Sequence, residues 1–161
     1  MTWRLWEGLV DEVALHLRDN LPAKLDVLNT EYDDGIHLDV PAGYEISERA
    51  LESVAAFPVV SLIVPDAERL SWTHGGGVAD YALLIDVLEK DQDADSLKRK
   101  LYRYMRAVWE LMIDPPLPAT LTYFVLPSTR PKVDFSMIYA KDSQFLADAA
   151  LTMTMRKQEV A

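Results

Sequence analysis

The sequence contains no cysteine among its 161 residues. Disulfide bonds, thiolate metal sites and cysteine nucleophiles are therefore excluded, and the absence suits a protein kept in a reducing compartment. A chain of this length is enough for one compact domain with a real core. We accordingly treat residues 1–161 as a single domain.

Basic residues are scarce relative to acidic ones. The chain has 16 Lys and Arg against 26 Asp and Glu, a formal net charge of −10. Phosphate contacts need Lys and Arg to release counterions, so sequence-independent binding of DNA or RNA is not the expected main activity. An acidic surface would instead repel DNA that passes close to it.

Long apolar runs are also missing. No stretch reaches the roughly 18 consecutive apolar residues that a membrane helix needs. The beginning, MTWRLWEGLVDEV, carries acidic residues early and lacks the continuous apolar segment of a signal peptide. We expect a soluble protein without membrane association that is made in the cytoplasm.

The first half of the sequence predicts helices and then strands. Apolar residues at helical spacing predict a first helix that meets a boundary at Pro22, and a second short helix is predicted over residues 48–56. The β-branched run PVVSLIV predicts a buried strand that ends at Pro65. The segment PDAERLSWTHGGG reads as a long polar connection, and ADYALLIDVL as the next strand.

The second half begins with the longest regular element. One apolar arc predicts a helix that stops at the pair Pro115 and Pro116. After it, TYFVL, VDFSMIYA and ALTMTMR are strand-like. Strands on either side of one helix predict an α+β fold, with a mixed or antiparallel sheet of about four strands and helices packed on one face.

Three alternating aspartates precede the long helix. Asp91, Asp93 and Asp95 match positions 1, 3 and 5 of an EF-hand loop, but Ser96 stands where the loop needs glycine and Tyr102 where it needs glutamate. Asp93 or Asp95 as the helix N-cap explains the same residues. The stretch predicts a helix start and no metal site.

The sequence shows no other catalytic signature. The triplet Gly75, Gly76 and Gly77 leads into a strand with no lysine placed to meet a phosphate, which predicts a flexible loop tip. The histidines are scattered singly and the serines lack a nucleophile elbow. We expect neither an enzyme nor a bound cofactor, although one sequence leaves open a site formed by spatial convergence.

Three arginines form a basic stripe on the long helix. Arg99, Arg103 and Arg106 fall within a narrow arc beside the apolar one. In so acidic a chain, this stripe is a candidate contact for the acidic face of another subunit. The alternative is a solvated helix face with internal pairs such as Arg106 with Glu110. Both interpretations stay open at this point.

The order of these segments resembles a known family. LPAKL closes the first helix, FPVV opens a strand before a glycine-bearing loop, and YALLIDVLEKD is the next strand. DADSLKRKLYRYMRAVWELM and FLADAALTMTMRKQEV follow. Over most of residues 10–160 this pattern is similar to the tail terminator or tail-completion proteins of long-tailed bacteriophages and their relatives at the head–tail junction.

The resemblance implies a small α/β subunit that assembles as a ring, typically a hexamer, on the end of the tail tube. Such a ring stops tube polymerisation, docks the head and needs no catalysis. Its partners would be its own copies, the tail-tube protein and head–neck proteins, in the virion or, during assembly, the host cytoplasm. DNA would pass through the lumen without specific binding.

A ring needs two different surfaces that meet, and the arginine stripe is one candidate. The loop from Ser71 to Gly77, with Trp72, is a second candidate that would order on docking; a Trp72 buried in the monomer is the alternative. Two other functions are kept. One is another neck component, such as a head-completion or adaptor protein, and the other is an acidic, immunity-like binding module that masks a basic partner.

Overall fold

A computed structural model describes residues 3–46, 54–73, 76–114, 122–125 and 130–160. The helices are α1 (Trp3–Tyr32) and α2 (Ala94–Met112). The strands are β1 (Gly43–Glu45), β2 (Val59–Thr73), β3 (Gly76–Asp91), β4 (Phe124–Val125), β5 (Lys132–Phe135), β6 (Tyr139–Lys141) and β7 (Gln144–Val160). Neither of the two described helices is long and apolar enough to cross a membrane.

The strands form one mixed sheet in the order β1-β2-β3-β7-β4, with β5 and β6 also paired to β7. Only the β1–β2 pair is parallel among these pairings. The predicted α+β class is confirmed. The sheet has seven strands where about four were expected, because four of the seven are short edge pieces of two to four residues.

One face of the sheet carries the core. Along β3, Tyr81, Leu83, Ile85 and Val87 are buried on the helix side while the residues between them are half-buried. Leu83 pairs with Met153 of β7, which is also buried. The helices therefore cover one face of the three long strands, as the period-two alternation predicted.

The boundary predicted at Pro22 is wrong. Helix α1 runs through this proline and extends to Tyr32. Leu17, Leu21 and Leu25, which lie on both sides of it, are all buried in the core. Burial of this continuous leucine stripe offsets the lost hydrogen bond and the steric clash of an internal proline, which cost about 3 kcal/mol.

The strand end predicted at Pro65 is also wrong. Strand β2 continues to Thr73, so the supposed polar connection is the second half of a long hairpin. The register with β3 shifts between Ile63 and Asp66, and Pro65 lies in this bulge. Strand β1 pairs with β2 only up to Ser61, so among the described residues the outer edge of β2 needs no N–H at Pro65.

The short helix predicted over residues 48–56 lies mostly outside the described residues, and residues 54–56 are not helical. Helix α2 is confirmed, and its buried face carries the predicted arc. The buried members of that arc are Leu97, Leu101, Tyr104, Met105, Val108 and Met112. The alternation of Leu151, Met153 and Met155 in β7 is confirmed as well.

The segment VDFSMIYA is not one strand. It forms β5 and β6, which are separated by residues 136–138 and both pair with β7. The backbone N–H of Ser136 donates to the carbonyl of Asp148 at 2.9 Å, and the Ser136 hydroxyl accepts from the Asp148 N–H at 2.9 Å. These two bonds fasten the break between the strands to the sheet.

Candidate functional site

The aspartates before α2 act as a helix start. Asp93 is the N-cap, and its carboxylate accepts from the backbone N–H of Ser96 at 2.8 Å. Asp91 accepts from the N–H of Asp93 at 2.9 Å and pairs with Lys100 at 2.8 Å. The capping prediction is confirmed. Within the described ranges, no group of three or more His, Asp or Glu side chains is placed to hold a metal ion.

The glycine-bearing segment is a hairpin rather than a long loop. Trp72 and Thr73 at the end of β2 pair with Gly77 and Gly76 at the start of β3. Gly76 has φ 127°, a conformation that glycine adopts without strain. Gly75 and the side chain of Trp72 lie outside the described residues, so the role predicted for this segment in docking stays a prediction.

The three arginines of the predicted stripe differ in their contacts. The Arg103 side chain is 5% exposed and donates from Nη1 to Asp34 Oδ1 at 2.9 Å and from Nη2 to Asp34 Oδ2. Its guanidinium lies 3.9 Å from the Tyr32 ring centroid. The hydrogen bonds from Arg103 lower the pKa of Asp34 to about 2. Arg103 therefore fastens the segment after α1 onto α2, within the chain.

Arg106 is held by acidic side chains of both helices. It donates to Glu31 at 2.9 Å and to Glu110 at 2.9 Å, and Lys24 also pairs with Glu110. The hydrogen bond to Glu31, followed by that to Glu110, raises the pKa of Arg106. The intrahelical pair that the sequence offered as an alternative is present. Arg99 is exposed, and no partner for it occurs among the described residues.

One apolar feature of the described surface was missed from sequence. Five large apolar side chains are exposed at the β7 margin of the sheet, on β5, β6, the turn between them and the neighbouring face of α2. Phe135 pairs with Ala149 and Tyr139 with Leu146, so these two side chains point to opposite faces of the sheet at that margin. We call the five exposed side chains the edge patch: Tyr102 (47% exposed), Phe135 (42%), Met137 (90%), Ile138 (38%) and Tyr139 (43%). The run of apolar residues from 137 to 139 without alternation was the available signal.

The edge patch is built on ordered backbone. Phe135 pairs in register with Ala149, and Tyr139 with Leu146, on β7. The rings of Tyr102 and Phe135 meet edge to face with centroids 4.9 Å apart, which joins the patch to α2. The strand pairing places the backbone of β5 and β6 against β7, and the ring contact orients Tyr102 and Phe135.

A concave surface lies at the opposite side of the molecule. Val10, Ile46 and Val64 line a groove of about 350 Å³ between the beginning of α1 and the β1–β2 side of the sheet. Glu7 and Asp11, one helical turn apart on α1, supply its acidic rim. Ile46 is 66% exposed. We call this surface the acidic groove.

Two buried titratable side chains make contacts within the fold. Within the described residues, the buried carboxylate Glu89 and the buried imidazole of His16 face the interior and are used in packing. His16 Nε2 lies 2.9 Å from the Leu111 carbonyl, and Glu89 accepts from the Lys90 N–H at 2.9 Å. The acidic groove and the edge patch are candidate surfaces for a partner.

Comparisons with known proteins give matches among solved structures. No protein-family model matches the chain, and no curated protein matches it. Among solved structures, it is similar to a chain described as "Virion of native gene transfer agent (GTA) particle". The two are 16% identical, the alignment covers 90% of this chain and 95% of that chain, and the TM-score is 0.36.

Proposed function

We propose that the chain is a structural virion protein of a long-tailed phage or prophage. In this role its copies form a ring on the end of the tail tube, where the ring stops tail polymerisation and joins the tail to the head. The function is one of assembly and needs no catalysis or cofactor. The protein would act at the tail–head junction of the virion, after synthesis in the host cytoplasm.

The edge patch is the observation that carries the proposal. Monomeric soluble proteins rarely leave much large apolar surface exposed, and exposed apolar side chains concentrated at one margin of a sheet suit a contact with another macromolecule. Here the side chains are held by strand pairing to β7 and by the Tyr102–Phe135 contact. A surface of this kind suits a subunit that is stabilised when assembly buries its exposed apolar side chains.

Two sequence features support the same role. The order of segments resembles the tail terminator family over most of residues 10–160. A net charge of −10 suits a ring whose lumen lets DNA slide without adhering.

The direct test is addition of the purified protein to polymerising tail-tube protein. A terminator binds tube ends, shortens the length distribution and appears as a density at one end in electron micrographs. Tubes of unchanged length with bare ends would contradict the proposal. Binding to head particles with no binding to tubes would indicate another neck component instead.

The acidic groove favours a second candidate, the immunity-like module that masks a basic partner. That protein would form a tight one-to-one complex whose affinity falls steeply as salt is added. A terminator that assembles through the edge patch uses a mainly apolar contact, so added salt weakens its assembly far less. Titration of the complex with sodium chloride therefore separates the two functions.

A further inference from the structure

We infer that the edge patch of one subunit docks into the acidic groove of a second copy of this chain. The inference rests on the proposed function and supplies the subunit contact that a ring requires. The described residues give the two surfaces, their positions on the sheet and their charges.

The two surfaces adjoin different strands of the sheet. The acidic groove adjoins β1 and β2, which begin the strand order, and the edge patch is built on β5 and β6, beyond β7 at its other end. Strands are spaced about 4.8 Å apart, so the surfaces are separated by roughly 20 Å across the sheet. One subunit can therefore contact a different neighbour through each side at the same time.

Their shapes and polarity match. Met137 is 90% exposed, and methionine is an unbranched, adaptable side chain that fills irregular apolar hollows. Val10, Ile46 and Val64 give the groove an apolar lining. Its volume of about 350 Å³ is room for more than one such side chain. Insertion of Met137 would remove apolar surface of both subunits from water.

Their charges favour contact between unlike surfaces. Arg99 lies three residues before Tyr102 on α2, on the same helix face and beside the edge patch, and is exposed. Glu7 and Asp11 rim the groove, and no ion pair of either occurs in the part of the chain that the structure describes. A contact between two edge patches would bring two copies of Arg99 together. A contact between two acidic grooves would bring four carboxylates together. Patch against groove places Arg99 opposite the carboxylates.

A contact between two different surfaces has a defined structural consequence. It is heterologous, so each subunit keeps one free patch and one free groove until the assembly closes on itself. Such contacts produce rings or open filaments. A contact in which both subunits use the same surface produces a closed dimer instead. The order of assembly can therefore be read by blocking or marking one surface at a time.

The absence of cysteine makes the test direct, because each introduced thiol is unique. Ile46→Cys marks the groove and Met137→Cys marks the patch. Mixed under oxidising conditions, or with a short bis-maleimide, the two variants should give a one-to-one cross-linked dimer, while neither variant alone should cross-link. The double variant should give a ladder that ends at the closed ring.

Val27→Cys is the matched control. Val27 is 59% exposed on α1 and belongs to neither surface, so it should cross-link with none of the other variants. The substitution Arg99→Glu should reduce the yield of the 46–137 cross-link several-fold. Glu7→Lys together with Asp11→Lys in the groove partner should restore much of it, since the two charges are then exchanged.

Three results would overturn the inference. These are efficient cross-linking of Met137→Cys to itself, cross-linking of Val27→Cys as fast as the marked pair, or no 46–137 product with either reagent. The proposed function is tested separately by tube binding. A protein that caps tail tubes but gives no 46–137 product would disprove this contact alone, and a protein that gives the ladder but ignores tubes would disprove the terminator role alone.

Discussion

Arg103 and Asp34 are joined by two parallel hydrogen bonds although they lie 69 positions apart in the chain. The pair connects the segment after α1 to the middle of α2, with the Tyr32 ring stacked on the guanidinium. Planar, bidentate contacts of this kind are among the strongest hydrogen bonds in proteins. Of the three arginines in the predicted stripe, Arg103 is thus a structural clamp, and Arg99 is the one with no partner among the described residues.

Replacement of Arg103 tests this division of the arginines. Arg103→Ala should lower the free energy of unfolding by about 2 kcal/mol, because a nearly buried cation loses its hydrogen bonds and its packing on Tyr32. Arg99→Ala, on the exposed part of the same helix, should change stability by less than about 0.5 kcal/mol. Urea denaturation of both variants measures the difference, and equal losses would contradict the clamp.

The contribution of the same pair to stability should decrease as the solution is made acidic. The pKa of Asp34 is lowered from 3.8 to about 2, chiefly by the hydrogen bonds from Arg103, so the unfolded chain binds this proton more readily than the folded one. The stabilisation is complete above pH 3.8 and is lost as the pH falls through 2. Asp34→Asn should therefore be less stable than the wild type at pH 6. The gap should narrow progressively between pH 4 and pH 2, as followed by circular dichroism.

Glu89 predicts a pH effect of opposite sign. Burial raises its pKa above the usual 4.5, and this outweighs the hydrogen bond from the Lys90 N–H and the attraction of Lys100. A carboxyl with a raised pKa destabilises the fold as the pH rises above its unfolded value. Glu89→Gln should consequently raise the melting temperature at pH 7 and have little effect at pH 4. A lower melting temperature at pH 7 would show that the charged form is required.

The helix cap gives a further stability prediction. Asp93→Ala removes the acceptor of the Ser96 N–H and should cost about 1 kcal/mol. Asp95→Ala is the matched control in the same turn and should cost only a few tenths of that, because it loses a dipole interaction alone. Thermal unfolding of the two variants distinguishes them. Calcium should leave the wild-type melting temperature unchanged. A rise in that temperature with calcium would support a metal-binding loop before α2 instead.

The sequence predicted α2 well because its signals are local. Asp93 provides a cap, and the apolar arc from Leu97 to Met112 has an unbroken helical period. The helix boundary predicted at Pro22 and the strand end predicted at Pro65 were wrong for a physical reason. Pro22 and Pro65 each disfavour the element locally, but tertiary burial of the leucine stripe in α1 and the bulge in β2 absorb the cost.

The edge patch and the arginine contacts depend on residues that are distant in sequence. Phe135 is exposed because β5 pairs at the margin of the sheet, and nothing in VDFSMIYA alone tells a marginal strand from a central one. Arg103 is buried because Asp34 and Tyr32 come to it from the end of α1. A helical projection shows that the three arginines share an arc, but it does not show which of them another part of the chain already holds.

Strand β7 has a consequence for synthesis. It is the last of the seven strands along the chain, and β4, β5 and β6 all pair with it alone among the strands described. On the ribosome, the residues of the edge patch emerge before the strand that will hold them. A product released before Gln144 would thus have no scaffold for that surface. Only polypeptides translated through β7 would then be able to present that surface.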